Sequence, residues 1–136
     1  MLEFYLLNIT KNNSPFFIYH KEGLVPSNKV DFMQCEFEGI NCVINSITGS
    51  SFNSIILENG YLVQKKRNYL NKGNVYELSF IEGYFSKNTN LNELSIAKRK
   101  LSIHMKKFDE LFKESIFELL APNEKFKEFG QYLLGQ

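Results

Sequence analysis

A chain of 136 residues, 43% hydrophobic and 15% aromatic, with a formal net charge of +1, has the length and apolar content of one domain with its own core. A fold of that size buries roughly two-thirds of the surface its unfolded chain exposes, so it needs no disulfide or metal for stability. The near-neutral balance excludes the global positive excess of duplex-binding domains and leaves only local basic patches open.

The opening MLEFYLLNIT carries Glu3 and no basic n-region, unlike a signal peptide. No apolar run approaches the ~18 residues that a membrane span requires. The expectation is a cytoplasmic protein with no membrane partner. LEFYLLNI (2–9) is aromatic and aliphatic, too short for a stable helix, and reads as a strand. KNNSP (11–15) is a turn cluster, FFIYH (16–20) a second strand, and KEGLVPSNK (21–29) a loop broken by Gly23 and Pro26.

In residues 31–45, Met33, Cys35 and Phe37 alternate with Gln34, Glu36 and Glu38. After Gly39, Ile40, Cys42 and Ile44 alternate again. Period two on both sides of a turn predicts a half-buried hairpin. Cys35 then faces Cys42 on the apolar side, while Glu36 and Glu38 point outward. The facing distance of ~5.5 Å at a hydrogen-bonded pair permits a disulfide. A reducing cytosol disfavours one, so the expectation is two reduced core cysteines. No CxxC and no nearby His pair completes a zinc site, so no metal or cofactor is expected.

SIILENGYLVQKK (54–66) carries Asn59-Gly60, the preferred type I′ turn, between two apolar runs. Ile55, Leu57 and Leu62 share one face, and Ile56, Tyr61 and Val63 the other, which predicts a hairpin near the centre of the sheet. NVYELSFIEGYF (74–85) reads as a further strand, with Tyr76, Leu78 and Phe80 on one face and Gly83 at a bulge.

From residue 90 the period changes. Leu94, Ala97, Leu101, Met105, Phe108, Phe112, Ile116 and Leu119 recur at spacings of three and four, as in an amphipathic helix. Asn90 with Glu93 resembles a capping box. Pro122 stops this helix and opens a shorter one whose apolar face holds Phe126, Phe129 and Leu133. Strands followed by helices argue for α+β architecture. The expected fold is a single domain over 1–136. It has a curved antiparallel sheet of about five to seven strands within 2–85, a long helix at about 91–120 packed on one face, and a short one at about 122–134.

Few residues look placed for chemistry. His20 ends a strand, and His104, between Ile103 and Met105 and followed by Lys106-Lys107, reads as exposed or flanking the helix. Neither lies in a nucleophile motif. No GxxxxGK[ST] or GxGxxG loop is present. Glu36 with Glu38, and Asp109 with Glu110, read as solvated acids lacking the burial that raises a general acid's pKa. Gln64-Lys65-Lys66, with Glu58 and Asp31, holds the residue types of a PD-(D/E)xK nuclease. Asp31 follows Val30 rather than proline and the spacing is arbitrary, so no family resemblance is drawn.

Two basic clusters stand out. Lys65, Lys66 and Arg67 end a strand. Lys98, Arg99 and Lys100 lie early on the long helix, with Lys106 and Lys107 two turns on and acids after them. This order is the reverse of what the helix dipole favours, so helix stability does not explain it. The leading expectation is a small non-catalytic protein that binds and inhibits another protein, such as an immunity protein neutralising a bacterial toxin. Its binding surface is either Lys98, Arg99, Lys100 and Lys106 or the acidic Glu36 and Glu38, since separated charge speeds association and selects partners. One alternative is a nucleic-acid-binding protein or nuclease using Lys65, Lys66, Arg67 and the basic helix segment. Another is a structural or phage-encoded oligomeric adaptor.

Overall fold

The computed structural model describes residues 2–21, 46–47, 53–113 and 123–136. The predicted hairpin at 31–45, with Asp31, Cys35, Glu36, Glu38 and Cys42, lies outside them, as do residues 114–122. The fold is α+β. Strands β1 (Glu3–Lys11), β2 (Ser14–His20), β3 (Ser54–Leu57), β4 (Gly60–Asn71) and β5 (Asn74–Phe85) precede helices α1 (Leu91–Phe112) and α2 (Asn123–Leu134). The five strands form one open antiparallel sheet in the order β2-β1-β5-β4-β3.

Three tight turns set the registers. Asn12 and Asn13 join β1 to β2, and Lys72 and Gly73 join β4 to β5. All four have positive φ, as a type I′ turn requires. The third turn departs from expectation. Leu57 pairs with Gly60, so Glu58 and Asn59 form the loop and Gly60 is the first residue of β4. The glycine serves a close approach instead of a turn. A Cβ there would sit 1.9 Å from the Tyr84 carbonyl oxygen of β5. The β3–β4 hairpin also lies at the sheet's edge, not its centre, and Ile56 and Leu57 remain exposed. The centre belongs to β5, which pairs with β1 on one side and β4 on the other along its buried half.

The bulge expected at Gly83 falls on the facing strand. Phe4 pairs with Tyr84 and Leu6 with Gly83, which leaves Tyr5 as the extra residue in β1. Gly83 makes room for it, because a Cβ there would lie 2.7 Å from Tyr5 Cζ. The Tyr5 ring stacks on Phe85 at 4.0 Å.

Alternation gives the sheet two buried faces. Phe4, Leu7, Ile9, Tyr61, Val63, Leu78, Phe80 and Tyr84 form the face packed with α1 and α2. Leu6, Leu62 and Ile81 point the other way with Asn8, Thr10, Gln64 and Ser79, and all seven are buried. Gln64 Nε2 donates to Ser79 Oγ at 2.9 Å within that second face.

Helix α1 begins as its cap predicts, with one substitution of partner. Glu93 N–H donates to Asn90 Oδ1 at 2.8 Å. The return bond of a capping box is made by Tyr61 instead. Its hydroxyl accepts from Asn90 N–H at 2.7 Å and donates to Glu93 Oε1 at 2.9 Å, fastening the helix start to β4. Leu94, Ala97, Leu101, Met105, Phe108 and Phe112 then turn inward. A cluster of aromatic rings closes the far end: Phe16 and Phe17 of β2 meet Phe108 and Phe112 of α1 and Phe126 and Phe129 of α2. Pairs of this kind add about 0.5–1.5 kcal/mol each beyond the area they bury.

Two glycine substitutions should move stability in opposite directions. Gly60→Ala places a methyl against backbone that cannot yield and should cost at least the ~1–3 kcal/mol of an overpacked core. Gly130→Ala meets nothing within 4 Å on α2 and should gain ~0.5–1 kcal/mol from helix propensity. Urea unfolding midpoints of the two variants check both.

Candidate functional site

Helix α1 carries its chemistry on two opposite sides. On the inner side the apolar stripe is interrupted at His104, which is 2% exposed, and not solvent-exposed as the sequence reading expected. Its Nδ1 lies 2.5 Å from Oε2 of Glu82, itself fully buried on β5. The Tyr84 hydroxyl donates to the other carboxylate oxygen at 2.7 Å. Phe4 meets the imidazole edge-on at 5.1 Å and Tyr132 of α2 meets it at 5.9 Å. The ammonium of Lys107 lies over the Tyr132 ring at 5.6 Å.

Burial pushes the Glu82 carboxyl above its ordinary value, and the bonds from His104 and Tyr84 and the positive charge of Lys100 pull it partly back. Burial and the neighbouring Glu82 push the Tyr84 hydroxyl up. An acid, an imidazole and a phenol in contact have the composition of an acid–base site. Here they are buried between the sheet and two helices, and they tie β5 to α1. The sequence carried the signal: Glu82 continues the same-face series of Leu78 and Phe80, and His104 lies three residues after Leu101.

Arg99, Lys100 and Lys106 of the predicted binding residues lie on the outer side, and Lys98 lies at the edge of the buried stripe. Lys98, Arg99 and Lys106 are exposed and Lys100 is half-buried. They make no ion pair with described residues. Between Leu94 and Phe108 the chain has five cations and no acid. Two isoleucines lie among them, Ile96 at 40% exposure and Ile103 at 58%. The acids at the helix end are already engaged. Asp109 accepts from Arg67 and from Tyr69, and Glu110 lies 4.0 Å from Lys107. Beside them a groove of ≈ 600 Å³, lined in part by Tyr69, Leu70, Lys106, Asp109 and Lys113, separates the β4–β5 tip from the helix.

The other basic cluster does not form one patch. Strand alternation sends Lys65 and Arg67 to the helix side, where Arg67 is held by Asp109, and Lys66 to the opposite face. The nuclease-like residues are also kept apart. Gln64 is buried against Ser79. Glu58 lies in the β3–β4 turn, ~13 Å away along β4 at ~3.3 Å per residue. Among the described residues no group of three or more His, Cys, Asp or Glu is placed to hold a metal ion, and no helix is long and apolar enough to cross a membrane. No protein-family model, curated protein or solved structure matches the chain.

Two measurements test the inner tie. His104→Ala strands a buried carboxylate and should cost about 3–5 kcal/mol in urea unfolding, whereas the double change Glu82→Met/His104→Leu should recover much of that loss. The pH dependence has a defined sign. With its pKa raised above the ordinary 4.5, the Glu82 carboxyl holds a proton more tightly folded than unfolded, so its contribution to stability falls as pH rises above 4.5 towards the raised value. Stability relative to Glu82→Gln should therefore improve as pH is lowered from neutral to 4.5. The opposite slope would show that the ion pair outweighs burial.

Proposed function

We propose that this chain is a non-catalytic protein that binds another protein and inhibits it, as an immunity protein neutralises a toxin domain. The observation that carries the reading is the outer side of α1, where Arg99, Lys100, Lys106 and Lys107 flank two exposed isoleucines with no acid between Leu94 and Phe108. Cations on one side speed encounter with an acidic partner and penalise basic ones. The isoleucines supply apolar area that a charged surface alone lacks, and desolvated apolar contacts at the centre of a patch carry much of an interface's energy. The helix is also well held: its start is fastened by Tyr61, its middle by Glu82 and its end by Arg67 and Tyr69. A surface on so rigid an element pays little ordering cost on binding.

The nucleic-acid reading is less well supported, because Lys65, Lys66 and Arg67 point to different faces and Arg67 is already paired. The test is affinity capture on the full chain and on Lys98→Glu/Arg99→Glu/Lys106→Glu. One protein should be retained in stoichiometric amount after nuclease treatment and lost, by tenfold or more in affinity, with the charge-reversed chain. The purified partner's activity should fall to zero at one equivalent of this protein. Recovery of nucleic acid that washes off at high salt would replace this reading with the basic-patch alternative.

A further inference from the structure

Residues 96–108 repeat themselves. Ile96 is followed by Arg99 and Lys100 and the apolar Leu101; seven residues later Ile103 is followed by Lys106 and Lys107 and the apolar Phe108. Leu101 and Phe108 belong to the buried side, which sets the rotation of the helix and leaves Ile96 and Ile103 in line on the outside. At about 3.6 residues per turn, Arg99 and Lys106 fall on one flank of that line and Lys100 and Lys107 on the other. The outer side is thus a short apolar seam with cations on both flanks, the layout of one strand of a coiled coil with single-sign flanking charges.

Resting on the protein-binding reading above, we infer that the partner's contacting element is an acidic amphipathic α-helix, with apolar residues seven apart and Asp or Glu beside them. The spacing selects a helix. Ile96 and Ile103 stand ~10.5 Å apart along the axis at ~1.5 Å per residue. An extended strand offers same-face side chains at ~6.6–6.8 Å or twice that, so it cannot meet both. A helix meets both with residues at its own heptad spacing and packs at a crossing angle of about 20°. The charges select its sign. They also oppose a second copy of this chain, which would bring cation against cation. Each isoleucine becomes a knob in the facing helix, and the flanking Arg99, Lys100, Lys106 and Lys107 meet carboxylates across the seam.

The test uses the full chain and a side-chain-stapled acidic helical peptide of about three heptads, with leucine every seventh residue and glutamates flanking it. A control peptide of the same composition has its leucines moved out of heptad spacing. By fluorescence anisotropy at low salt, the heptad peptide should bind roughly tenfold or more tightly than the control. Ile96→Ser/Ile103→Ser should lose that difference while keeping the wild-type melting temperature, because both side chains face solvent. Equal binding of the two peptides, or tighter binding to vesicles of phosphatidylserine and phosphatidylcholine or to a short DNA duplex, would overturn the inference. The two proposals fail separately. A captured protein partner that is lost with the charge-reversed chain but retained by Ile96→Ser/Ile103→Ser leaves the binding function standing and removes the helical seam. Capture of nucleic acid in place of protein removes both.

Discussion

The contact between Glu82 and His104 constrains the rest of the molecule. It joins the central strand to the long helix at a point where neither side chain reaches water. An apolar stripe alone tolerates small rotations of a helix about its axis, because leucine and phenylalanine repack without large penalty. A buried carboxylate does not. If the helix turned by one residue, Ile103 would face Glu82, and a buried carboxyl without its partner would remain in the core. The pair therefore fixes which side of α1 faces outward. Tyr61 at the helix start and Arg67 and Tyr69 at its end fix its position along β4.

This arrangement joins the two sides of the helix in one argument. The inner side is specified by packing and one polar tie, and the outer side inherits its alignment from it. Ile96 and Ile103 are collinear in solvent because Leu101, His104, Met105 and Phe108 are collinear in the core. α2 adds to the same constraint, with Tyr132 closing over the imidazole and Phe129 joining the aromatic cluster beneath. A binding surface on such a helix is made of side chains on a fixed backbone, so recognition there rests on surface chemistry, not on rearrangement.

Much of the architecture was legible from periodicity. The switch from period two to spacings of three and four at residue 90 located the boundary between sheet and helix, and the cap at Asn90 was read to the residue. Local rules failed where a distant strand decided the outcome. Asn59-Gly60 looks like a turn, yet Gly60 serves the close passage of Tyr84, which lies on the neighbouring strand β5. The β3–β4 hairpin is apolar on both sides and looked central, but sheet order depends on β1 returning to pair with β5. Lys65, Lys66 and Arg67 read as one cluster because charge was counted along the chain, and strand alternation divides them. His104 was missed because its cationic neighbours outweighed its place in the apolar stripe. The outer basic residues were legible as a group. Their alignment with Ile96 and Ile103 was not, since it depends on which side of the helix the sheet takes.

The strand order also has a consequence for how the chain comes together. β1 pairs with β2 across a two-residue turn, but its other edge waits for β5, more than sixty residues later. During synthesis, Leu6, Leu7 and Ile9 emerge before β5, the strand that completes their pairing among the described residues. The β4–β5 hairpin needs only the Lys72-Gly73 turn and offers itself as a finished template. Pairing β1 with β5 closes a loop of more than sixty residues, the kind of non-local contact that slows folding. Until β5 arrives, the β1–β2 hairpin presents an open, apolar strand edge, the feature that favours pairing with other chains.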